Sequence, residues 1–195
     1  MNVPITITST VYTIWLIIPF RQLRTKYFFY FLIYAVSSAF MLLDYTLLIH
    51  PAYFYLGIGF FLIISLYNFK NIPHYILFLT GVFVISIALP FLLSINVITF
   101  CLIIEHISIF VILLKRIVLY SIQQERLNIF HSILLLYEIT LITRFIVVMG
   151  NIKTGLISFY LTAAFSIIIG IFFLFYNEEN SPKLRLGKGD IFNTD

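Results

Sequence analysis

The chain has 195 residues, of which 62% are hydrophobic and only 10% are charged, with a mean hydropathy of +1.07. So little polar surface cannot cover a water-soluble globule of this length, and lipid is the expected solvent. The net charge of +4 would suit nucleic acid in a soluble protein, but here the basic residues form the connections between apolar stretches, so no nucleic-acid partner is expected.

A bilayer core needs about 20 helical residues to cross it. Seven stretches meet or nearly meet that length: 4–20, 27–49, 52–68, 74–95, 97–117, 129–149 and 155–176. The first has no basic residue before it and no small-x-small site after it, so it is expected to remain as a helix. The second carries Tyr30, Tyr34, Ser37, Met41 and Asp44 in steps of four and three, a stripe predicted to face protein. The fifth holds the adjacent pair Glu105 and His106, and the sixth holds His131, Glu138 and Arg144. In the seventh, Gly155, Ser158, Thr162, Ser166 and Gly170 make a small-xxx-small seam suited to close helix approach. That seam reads as an internal contact ahead of a homodimer or partner-subunit interface. Tyr27, Tyr53, Tyr67, Tyr75 and Tyr176 fall near segment ends, where amphipathic rings anchor at an interface.

Charge then sets direction. Arg21, Arg24, Lys26, Lys70, Lys115, Arg116, Arg126, Lys183, Arg185 and Lys188 fall on one side, whereas the opposite side receives only Lys153. Because cytoplasmic loops hold the excess of Lys and Arg, the N-terminus is predicted outside and the C-terminus in the cytoplasm. The expected fold is thus an all-α, polytopic bundle of seven transmembrane helices over 1–176, followed by a short polar cytoplasmic tail over 177–195. Both faces offer only short connections, and the tail is too small to fold alone. Cys101 lies in an apolar run as the only cysteine, so no internal disulfide forms.

Ionisable groups within the segments carry the functional signal. An Asp or Arg at the centre of a membrane helix costs about 2.5–3.5 kcal/mol on insertion scales, so such groups should face the bundle interior or water. Helix rise places Glu105, His106 and Glu138 at similar depths, with Asp44 and Arg144 near the outer ends of their segments. One polar cavity in the outer half follows as an expectation. Asp44, Glu105, His106, Glu138 and Arg144 are its candidate ligand or proton-pathway residues. Against that stands a purely structural reading, in which Asp44 or Glu138 neutralises Arg144 to fix helix packing.

Several chemistries fall away. His106 and His131 differ in depth by roughly 13 Å at 1.5 Å per residue, too much for two axial ligands of one haem. The seventh segment has no lysine for a retinal Schiff base. Neighbouring Glu105 and His106 point about 100° apart on a helix, which disfavours a shared metal. No metalloprotease, phosphate-loop or nucleophile-elbow motif occurs. No cofactor and no metal are expected.

The order of seven apolar helices, the Phe-, Ile- and Tyr-rich composition, the acidic residue late in the second segment, and the string Ile104-Glu105-His106-Ile107-Ser108-Ile109 followed by Leu113-Leu114-Lys115-Arg116 together resemble small seven-helix membrane proteins and sensor-like membrane regions of Bacteroidetes. The resemblance implies a bacterial inner-membrane location and ligand sensing coupled to another protein. The leading expectation is a non-enzymatic membrane subunit or sensory module, surrounded by lipid and acting through a separate membrane or cytoplasmic partner. A small-solute or proton-coupled transporter using Glu105, His106, Glu138 and Arg144 is the alternative. An intramembrane acid-base enzyme stands third.

Overall fold

A computed structural model describes residues 3–43, 51–66, 80, 81, 84, 88, 92–150, 152 and 155–185. Among the described residues the chain is all-α apart from one small strand pair. The helices are α1 Val3–Arg21, α2 Phe28–Leu43, α3 Pro51–Leu66, α4 Ile95–Gln124, α5 Ile129–Met149 and α6 Gly155–Phe175, and the strands are β1 Arg126–Asn128 and β2 Lys183–Arg185. Asp44 lies outside the described residues, as do the positions 67–79 that hold Lys70, Tyr67 and Tyr75.

α4 and α5 are long and apolar enough to cross a membrane, and α2, α3 and α6 contain shorter apolar runs. Their outward surfaces suit lipid. Phe20, Leu161, Ile168 and Phe175 are each more than 60% exposed, and hydroxyls along the helices bond to their own backbone. Thr8 donates to the Pro4 carbonyl at 2.8 Å, Thr13 to Ser9 at 2.8 Å and Ser108 to Ile104 at 2.9 Å. Such i−4 bonds remove the cost of carrying hydroxyls in an apolar medium.

α1 packs between α2 and α6, and α4 packs between α3 and α5. The centre is aromatic: Trp15 stacks on Tyr137 with ring centroids 4.3 Å apart, and Phe31, Phe130 and Phe173 close around one another. Offset and edge-on ring pairs of this kind add about 0.5–1.5 kcal/mol each beyond buried area.

Two departures from the sequence reading concern α4 and the tail. α4 runs to Gln124, well past the expected end at 117, because Lys115 and Arg116 terminate the apolar run but are good helix formers. It stops where Glu125 turns left-handed, with φ of 50°. In the tail, β2 pairs antiparallel with β1, setting Arg126 against Arg185 and Asn128 against Lys183. The start of α5 is capped from both sides: the Phe130 N–H reaches Asn128 Oδ1 at 3.0 Å and Ser181 Oγ at 2.9 Å.

The same end of the bundle gathers the basic connections. Arg21 donates to the Phe175 carbonyl, Gln22 Nε2 donates to the Phe173 and Tyr176 carbonyls at 2.9 Å each, and Arg116 donates to the Leu66 carbonyl. Tyr27 is buried there beneath the Arg116 guanidinium, 5.4 Å from its ring centroid. Its expected role as an interfacial anchor gives way to a cation–π contact within the protein.

Candidate ligand cavity and its buried polar network

Glu138, on the inward face of α5, has no solvent exposure. Two phenol donors and a histidine from two other helices surround it. Tyr30 and Tyr34, successive turns of α2, both donate to Oε1, Tyr34 at 3.0 Å, and His106 Nδ1 of α4 lies 2.7 Å from Oε2. The tyrosine stripe read from spacing therefore does face protein, and its hydroxyls supply what a buried carboxylate needs. α2, α4 and α5 are cross-linked at one point.

Glu105 does not join this network. One residue earlier on α4, it points toward α3 and packs on Gly59, where an added Cβ would collide with its carboxyl. It is 5% exposed and neither oxygen has a hydrogen-bond partner. The expectation that Glu105, His106 and Glu138 share one cavity thus separates into a bonded pair and a group on another side of α4, as the 100° step per residue requires. A Cβ at Gly59 would require the Glu105 carboxyl to swing aside.

Beside the network lies a cavity of about 420 Å³. Its wall includes His106, Arg144, Tyr34, Tyr137, Ser37 and Thr99, and it reaches Asn96 and Met149 at the bundle end opposite the basic cluster. Arg144 makes no ion pair among the described residues. Glu138, the described candidate for neutralising it, is occupied by the tyrosines and His106. The proposed Asp44 partner lies outside the described residues.

The seam on α6 has mixed surroundings. Gly170 meets α1 closely, since a Cβ there would strike Ile14. Ser166 and Thr162 instead line open space: a second cavity of about 520 Å³ runs between α1, α5 and α6. The side chains of Gly155 and Ser158 lie outside those described.

A further polar cluster had no counterpart in the sequence reading. His131 Nε2 lies 3.5 Å from Glu178 Oε1, Lys26 Nζ lies 4.0 Å from the same oxygen, and Asn128 Nδ2 donates to the Glu178 carbonyl at 3.0 Å. Burial alone pushes the Glu178 carboxyl up, but the His131 hydrogen bond and charge, with Lys26 and Arg116, hold it below its ordinary value. The available signal was Asn128 ahead of an apolar run, a helix N-cap. Nothing local marks Glu178 or Ser181 as its partners.

No group of three or more His, Cys, Asp or Glu side chains suited to a metal occurs among the described residues. Neither a protein-family model, a curated protein nor a solved structure matches the chain.

Proposed function

We propose that the chain is a seven-helix bacterial inner-membrane protein with its N-terminus outside and its C-terminus in the cytoplasm. It acts as a non-enzymatic sensory module or membrane subunit: the outer-half cavity takes up a ligand, and a separate partner protein carries the output. One observation carries this reading. His106 belongs both to the cavity wall and to the Glu138 network that joins α2, α4 and α5. A ligand that engages His106 changes the hydrogen bonds binding three helices, which gives differential interaction between two helix arrangements, the requirement for any ligand-driven switch.

Proton-coupled transport draws support from the 2.7 Å His106–Glu138 contact. It is the weaker reading, because Glu105 sits apart and extends no relay from that pair. The experiment is purification of the native protein in gentle detergent, with mass spectrometry of everything retained. A stoichiometric protein companion that is lost in His106→Gln supports the proposal. A clean monomer that moves protons in reconstituted vesicles, and stops doing so in Glu138→Gln, replaces it with transport.

A further inference from the structure

The two cavities adjoin, with Arg144 in the wall they share. Val11, Tyr12, Leu141, Arg144, Val148 and Ser166 line both. Their chemistry differs on either side of that junction. The first holds His106, Tyr34, Tyr137, Asn96 and Thr99, whereas the second is a groove between α1, α5 and α6 with mostly apolar walls.

Apart from the Tyr12 phenol, the groove's hydroxyls are already used. Thr8, Thr140, Thr143 and Ser166 donate to the carbonyls four residues before them, at 2.8 to 2.9 Å, and Thr162 donates to Phe159 at 3.0 Å. Each thereby presents its methyl or methylene side rather than a free donor. Arg144 is the strong donor left at the junction, exposed there and without an ion pair among the described residues. An arginine within a membrane helix stays costly until it meets an anion or water. From Arg144 back to Leu136 the groove runs along α5 for about 12 Å at 1.5 Å per residue, enough for the first part of an extended acyl chain.

We propose that the adjoining cavities bind a single-chain anionic amphiphile drawn from the bilayer, its carboxylate or phosphate on Arg144 in the cavity that His106 also lines and its chain lying in the groove between α1, α5 and α6. This rests on the reading of the cavity as a ligand site and names the ligand's class. Burial of each methylene adds about 0.8 kcal/mol, so chain length sets affinity, while the guanidinium sets the requirement for an anion.

Trp15 is the only tryptophan of the chain and lies on the cavity wall, so its fluorescence reports occupancy directly. The full-length protein in phosphatidylcholine nanodiscs is titrated with doxyl-labelled stearate, with its methyl ester, and with a nitroxide carboxylate that has no acyl tail. The expected result is saturable quenching by the stearate, with the ester and the tail-less acid each at least tenfold weaker. Arg144→Gln is expected to weaken stearate about tenfold and Arg144→Lys to retain most of the binding. Equal quenching by acid and ester, indifferent to Arg144→Gln, overturns the proposal as simple partition into lipid. A tail-less acid that binds as tightly as stearate also overturns it, while leaving the cavity as a ligand site. Absence of saturable quenching by all three probes overturns both the ligand class and the cavity's proposed role.

Discussion

Replacing Glu138 by leucine removes one shared partner from two buried phenols and a histidine at once. Tyr30, Tyr34 and His106 converge on it from α2 and α4. Interhelical hydrogen bonds within membranes average about 0.6 kcal/mol and reach about 1.7, so three of them give about 2–5 kcal/mol for Glu138→Leu. Glu138→Gln should behave differently. Its amide oxygen still accepts from both tyrosines, and its NH₂ faces His106 Nδ1, which accepts once the ring proton resides on Nε2. That exchange costs about 1 kcal/mol. Reversible unfolding in mixed micelles measures both. A cycle with Tyr34→Phe isolates the network: the phenylalanine is expected to cost about 1 kcal/mol in the native background and distinctly less in Glu138→Leu, where only the Tyr30 hydroxyl remains beside it. Equal costs in the two backgrounds would refute a shared acceptor, as would equal losses for Gln and Leu.

Other outcomes are open to direct measurement. Gly59→Ala is expected to push the Glu105 carboxyl aside at a cost of about 1 kcal/mol or less, and Glu105→Ala should remove that cost in the double variant; additive losses would place the Glu105 carboxyl elsewhere. Because Glu178 is held below its ordinary carboxylate value of 4.5, its contribution is present above that value and fades as the pH falls through the lowered one. Cleavage of the tail by pepsin, which works in acid, should therefore accelerate relative to Glu178→Gln as the pH falls below 4.5, and a constant ratio of the two rates would remove Glu178 from the tail's attachment. In a Cys101→Ser background, a cysteine at 153 should react with an impermeant maleimide in intact cells and one at 185 should react only after permeabilisation. The reverse pattern would invert the proposed topology.

Angular order within a helix was legible in the residues, because it follows from 3.6 residues per turn alone. Tyr30, Tyr34 and Ser37 are buried along the predicted stripe, and α5 spans the apolar run from 129 to 149 that hydropathy delimits. Partner choice between helices was not legible. Glu138 was one of two candidates to neutralise Arg144, whereas the carboxyl is bonded by two phenols and a histidine, groups that hydropathy does not score. Depth likewise grouped Glu105 with His106, although rotation about α4 sends them to different neighbours. The tail escaped for another reason: strands of three residues have no periodicity to detect, and Ser181 meets Phe130 across 51 positions.

The double cap on α5 bears on how the chain is made. Asn128 is available as soon as α5 emerges from the ribosome, but Ser181, Pro182 and the β2 strand follow only after α6 has been synthesised and its end returned to the same side. Until then the first turn of α5 lacks one of its two oxygen partners, and His131 lacks Glu178. In the proposed topology, a chain whose last helix inserts in the wrong direction delivers Glu178 and Ser181 to the far side of the bilayer and leaves that end of α5 open. Correct insertion of the last helix is thereby registered two helices away from the tail's own start, in the pairing of the first turn of α5.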